Sequence, residues 1–219
     1  ERAKLTDFKK ILKGNFNPQM QSIIIEAIKK AGLEGTVAIE FSEVNQPAID
    51  VTSGYYFQCT PDVNVLSSMK KHTWEFSDAK VLVVDGLIEK VSEIDNILNH
   101  CVDSKVPLVI CARGFSYDVI STIVLNNQRG VLNVMCIGIP IEESNPNKLV
   151  DIAVCSGSDV ISSLKGELIS SVDPESLPIV DSFHASMGKI KIVNLSQKDS
   201  VRYHVDRLKE SREKNENDL

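Results

Sequence analysis

Apolar and polar positions alternate on two different periods along this chain. Between 18 and 31, Met20, Ile23, Ile24, Ala27 and Ile28 recur at helical spacing, behind Asn17-Pro18 and ahead of Gly32; the pattern predicts a helix with both ends signalled. Lys189-Ile190-Lys191-Ile192-Val193 alternates with period two and predicts a solvent-facing strand. The most regular stretch is 81–140. There the pattern predicts a buried strand at 81–85, a helix at 89–104 and a strand at 107–112. A helix at 117–128 closed by Gly130 and a strand at 131–139 follow. Parallel strands need a crossover between them, and the helices supply it.

Elsewhere the signals are shorter. The segment 5–12 has a helical look, 36–40 and 48–51 read as strands of a hairpin, and 54–78 is irregular. A helix at 147–155, a short strand at 159–163 and a further apolar run at 178–180 follow. The charged stretch 200–219 reads as a helix of mixed sign that frays near its end. The fold class is therefore α/β, with a parallel strand-helix-strand block at 81–140.

The two helices of that block carry more apolar surface than one buried face requires. On the first, Val91, Ile94, Leu98 and Cys101 make a stripe that Ile88, Ile97 and Val102 widen. On the second, Val119 and Ile123 share one face, and Ile120 and Val124 share another rotated by about 100°; Leu125 extends it. One reading buries the second face against neighbouring elements. The other leaves an apolar groove for a partner's side chains, each anchor contributing about 1.5–3 kcal/mol.

Composition narrows the function classes. The 219 residues are 42% hydrophobic and 25% charged, with a formal net charge of −6. That balance argues against nucleic acid as a partner, and no apolar run reaches the length of a membrane span. Glu1-Arg2-Ala3-Lys4 is no apolar leader, and a start other than Met predicts a fragment or a processed form. The five cysteines include no C-x-x-C pair and read as core residues of a reducing, cytoplasmic protein.

Catalytic motifs are missing: no phosphate-cradling glycine loop, no G-x-S-x-G elbow, no metal spacing among His72, His100, His184 and His204. Neither cofactor nor metal is expected on these residues. Asp85, at the end of the first buried strand, is the best chemical candidate. It could serve an α/β enzyme or ligand-binding protein, or accept a phosphoryl group as in receiver domains. The plainer reading is that Asp85-Gly86 turns the chain and caps the next helix.

In order and spacing, the strand ending in Asp85, Ile88, Pro107-Leu108-Val109-Ile110, and Asn126 with Arg129-Gly130 resemble the apical domain of group I (GroEL-like) chaperonins. The match runs from Asp85 to Pro140 without a gap. Outside it, 25–40 resembles the family's intermediate-domain helix and strand. Val51-Thr52-Ser53-Gly54-Tyr55 resembles the entry to the apical domain, and Leu149-Val150-Asp151-Ile152-Ala153 with Ser156-Gly157 resembles the segment after the second groove helix.

The resemblance implies an apical-domain-like layered fold at 48–199, with 1–47 and 200–219 forming a small α/β remnant of the intermediate domain. It implies a groove between helices 88–104 and 117–129 that captures non-native polypeptides, with a lid-like co-chaperonin as a second partner. By position the groove residues are Val91, Leu98 and Val102, then Ile120, Val124 and Leu125, with Asn126 as polar neighbour and Tyr55 beneath. ATP and Mg would belong to the equatorial domain of a full-length homo-oligomeric ring, so these residues alone are expected to be monomeric and without ATPase activity. Asp95, Asn96 and Asn99 stand where the family has a leucine, a proline and an acidic residue. Tyr56-Phe57 comes early, and Ile141 to Pro146 replaces a glycine-rich loop. The departures mark a divergent member, of a kind expected from a virus, with a more polar first wall.

Overall fold

The computed structural model describes residues 10–13, 15–32, 35, 37, 47–49, 51–68, 73–141 and 147–217. Contacts divide the chain into two units, 1–53 and 54–219. The expected strand at 36–40, most of the helical look at 5–12, and the segment 142–146 lie largely outside the described residues; of the expected strand at 48–51, residues 48, 49 and 51 are described and are not in a strand.

In the first unit, α1 (Pro18–Ala31) begins where Asn17 accepts a hydrogen bond from the Met20 amide at 2.8 Å and ends where Gly32 takes φ 77°. Both ends were signalled locally: an Asn cap, proline in the first turn, and glycine in the left-handed region.

The second unit is built on one sheet. In chain order its elements are β1 (Tyr55–Phe57), β2 (Thr60–Pro61), α2 (Val63–Ser68), β3 (Thr73–Ile88), α3 (Asp95–Ser104), β4 (Leu108–Phe115), α4 (Tyr117–Gln128) and β5 (Val134–Gly138). Then follow α5 (Lys148–Ser156), β6 (Val160–Ile161), β7 (Ile179–Ser186), β8 (Lys189–Val193) and α6 (Lys198–Asn217). The strand path is β1-β8-β7-β3-β4-β5-β2, with β6 beside β3. β3, β4 and β5 are parallel, with Val81 opposite Val109 and Val109 opposite Met135. Val81 through Val84 are all buried, as a parallel strand covered on both faces requires.

β3 is far longer than the expected 81–85. Its first half pairs antiparallel with β7, and near its end Val83 and Val84 pair with β6. The region that read as irregular thus supplies β1, β2, α2 and the start of β3. Trp74 is buried there, against Phe76 at 4.0 Å and Phe183 at 6.2 Å between ring centroids. β8 matches its predicted range and alternation: Ile190 and Ile192 are fully buried, while Lys189 and Lys191 are half-buried. All five cysteines are free and buried.

Helix α6 clusters with the second unit rather than with 1–53. It packs on α5, where His204 Nε2 lies 2.9 Å from Asp151 Oδ1.

Candidate functional site: the α3 and α4 region

The sheet delivers two segments to one place. β3 ends at Ile88, and a tight 3-10 turn at Val91–Glu93 precedes α3. The expected helix 89–104 is therefore broken at Ile94, which sits at φ −115°, ψ 2°. The reason is local: Glu93 turns its carboxylate back to accept the Glu89 amide at 3.1 Å and the Lys90 amide at 2.6 Å. That closes a capping ring, and regular helix resumes only at Asp95.

β4 ends at Phe115, and Ser116 opens α4. The Ser116 hydroxyl accepts the Val119 amide at 3.3 Å and donates to the Glu89 carbonyl at 2.6 Å. The Ser116 amide also donates to the Ile88 carbonyl at 2.9 Å. The N-terminal ends of the two helical segments are joined through one residue, and the turn Val91–Glu93 packs against α4.

The predicted groove residues divide by exposure. Leu98 and Ile120 are buried, and Val91, Val102 and Val124 are half-buried against the core. Leu125 is 46% exposed, and Tyr117, at the start of α4, is 83% exposed. The surplus face of α4 is thus smaller than its spacing implied. Helix α2 packs along α4, and Ile120 belongs to the core. Asn126 spends its amide on its own helix, donating to the Thr122 carbonyl at 2.8 Å. Tyr55 is carried elsewhere in the sheet: β1 packs against β8 and α5, and Tyr55 pairs with Ile192. Burial pushes the Tyr55 hydroxyl pKa up, with neighbouring Cys155 as the smaller cause.

Asp85 neither turns the chain nor caps a helix. It lies inside β3, where the register to β4 slips between Val84 and Leu87. Its carboxylate accepts Arg113 Nε at 2.6 Å, and Arg113 Nη1 donates onward to the Ile139 carbonyl at 3.3 Å. A carboxylate so engaged is a strap across β3, β4 and the end of β5. Among the described residues no three His, Cys, Asp or Glu side chains cluster as metal ligands. No helix among them is long and apolar enough to cross a membrane.

Sequence reasoning missed Ser116 and Arg113. Ser116 had a local signal, a serine directly before an apolar-periodic run. Arg113 had none, because its partner is 28 residues away. A cleft of about 560 Å³ also opens between α5 and α6, lined in part by Gln197, His204 and Arg207; none of the predicted groove residues reaches it.

No protein-family model matches the chain. Curated proteins do. The RuBisCO large subunit-binding protein subunit beta of Pisum sativum is 30% identical over 181 residues, covering 81% of this chain and 30% of that protein. The chaperonin 60 subunit alpha 2 of Arabidopsis thaliana is 30% identical over 145 residues, 64% of this chain and 25% of that one. The RuBisCO large subunit-binding protein subunit alpha of Triticum aestivum is 28% identical over 194 residues, 86% of this chain and 35% of that one. The chain spans about a third of the length of these relatives. Among solved structures, the chaperonin gp146 from bacteriophage EL 2 (Pseudomonas aeruginosa) superposes with TM-score 0.66 at 15% identity. That match covers 95% of this chain and 42% of that one, and it speaks for the fold. Relatives and fold agree: over most of its length the chain is homologous to GroEL-like chaperonin 60 proteins, and its fold is that of a chaperonin domain.

Proposed function

We propose that residues 48–199 act as the polypeptide-binding, apical-type domain of a chaperonin, with 1–47 and 200–219 as part of an intermediate domain, and that the apolar surface between α3 and α4 takes up exposed apolar segments of non-native proteins. One observation supports this most: Val91, Val102 and Val124 are half-buried and Leu125 is exposed on two segments tied at one end. Such side chains can still lose water to a ligand, whereas Leu98 and Ile120 form the floor. Dispersed apolar contacts tolerate many shapes, which suits a binder of varied clients. Asp95, Asn96 and Asn99 are exposed along α3 and make that wall more polar.

ATP with Mg and ring assembly are assigned to a complete chaperonin, and a lid-like co-chaperonin is the second partner proposed for the groove. The cytoplasm is the proposed compartment. An α/β ligand site at Asp85 is the weaker reading, because Arg113 already occupies that carboxylate.

The test is Val124→Asp combined with Leu125→Asp, both at positions open to solvent in part. Binding of a chemically denatured model protein should be lost while far-UV circular dichroism is unchanged. Undiminished binding would sink the groove reading.

A further inference from the structure

We propose that Ser116 is a positioning residue that sets the spacing of the two groove walls, an inference that rests on the groove reading above. A serine hydroxyl has one proton to give and lone pairs to accept. Here both are used, and on different walls. The proton goes to the Glu89 carbonyl at 2.6 Å, while the oxygen receives the Val119 amide at 3.3 Å. The backbone doubles the link: Ser116 N donates to the Ile88 carbonyl at 2.9 Å, and its carbonyl accepts the Ile120 amide at 3.1 Å.

The partner segment is itself rigid. Ile88 is fully buried. Glu93 binds the amides of Glu89 and Lys90, the Glu93 amide donates to the Lys90 carbonyl at 3.1 Å, and the Ile94 amide to the Val91 carbonyl at 3.0 Å. A shift at Glu89 is therefore passed to Val91 as a unit. The side-chain tie decides how close Val91 stands to α4, and so the width offered to an apolar segment at that end. Loosening a site by a fraction of its geometry is enough to weaken it.

Two substitutions separate the tie from the cap. Aspartate is a good N-cap and favours a helix N-terminus by charge, yet an ionised carboxylate cannot donate to Glu89. Threonine keeps both functions. In the 219-residue chain, Ser116→Asp should keep its thermal midpoint and bind a chemically denatured model protein about two- to tenfold more weakly, the worth of one hydrogen bond. Amides from Glu89 to Ile94 should exchange faster, with Val119 to Ile123 unchanged. Ser116→Thr should restore parental values of both. Parental binding by Ser116→Asp, or equal loss in Ser116→Thr, overturns the proposal. If the parent chain binds no denatured protein, the groove reading falls; equal exchange at Glu89–Ile94 in Ser116→Asp then refutes the tie, and faster exchange supports it.

Discussion

Asn127 treats Val134 as a neighbouring strand would. Its side-chain Nδ2 donates to the Val134 carbonyl at 2.8 Å, and its Oδ1 accepts the Val134 amide at 3.1 Å. The amide is buried, so it locks the end of α4 to the start of β5 across the turn at Gly130. Asn127→Ala should therefore cost about 2–6 kcal/mol, since two buried backbone groups lose their partners at about 1–3 kcal/mol each. A urea unfolding curve with unchanged slope and a lower midpoint is the expected result; a change under 1 kcal/mol, well below that range, would mean that water or relaxation replaces the amide.

The cysteines make stability fall in alkali. Burial raises Cys101 from 9.0 to about 11 and Cys155 from 9.0 to about 12, with Asp151 adding to the second. Burial also holds Cys111 and Cys136 well above 9.0. The folded chain thus keeps protons that the unfolded chain releases once the pH passes 9.0. Stability is full below that value and declines from there toward pH 11, by at most about 1.4 kcal/mol per pH unit for each such thiol. Urea midpoints at pH 8 and pH 10 check the sign. At pH 8 the folded chain should also resist a thiol reagent that modifies all five cysteines after unfolding.

Asp85→Asn distinguishes the two functional readings. The Asp85–Arg113 pair is partly exposed, with side-chain accessibilities of 34% and 20%, so losing its charge should cost no more than about 1 kcal/mol. Uptake of denatured protein should match the parent. A variant that folds normally yet loses binding would move the site from the helices to the strand ends.

Gly157 ends α5 at φ 77°, where an added Cβ would stand 2.8 Å from Gln197 Nε2. The glutamine tip can swing aside, so the backbone conformation sets the cost. Gly157→Ala should lose about 1 kcal/mol. Hydrogen exchange should rise first in α6, whose docking on α5 passes this corner; unchanged protection of α6 would show that the Asp151–His204 contact holds it alone.

Where an element's limits are written in its own few residues, they are legible from the chain. Asn17-Pro18 and Gly32 bracket α1, Tyr117 to Gln128 forms α4 over its whole predicted range, and the alternation from Lys189 to Val193 is β8. Caps, turns and periodicity act over a few residues, and so does the signal that reports them. The break at Ile94 escaped notice because Val91 and Leu98 fit one helical stripe in sequence, while the Glu93 carboxylate ends the turn between them.

The sequence by itself determined the α/β class, the parallel block, the likeness to chaperonins and the apolar character of both helices. Tertiary structure alone decided which of those apolar positions remain open. Ile120 and Val124 are one helical turn apart and look equivalent in sequence, yet the first is core and the second half-buried. In the same way Asp85 found Arg113, β3 took β7 and β6 along one edge, and α6 chose α5. These outcomes depend on partners distant in the chain, chosen by how much surface the whole assembly can bury and which polar groups it must satisfy together. No local pattern carries that sum.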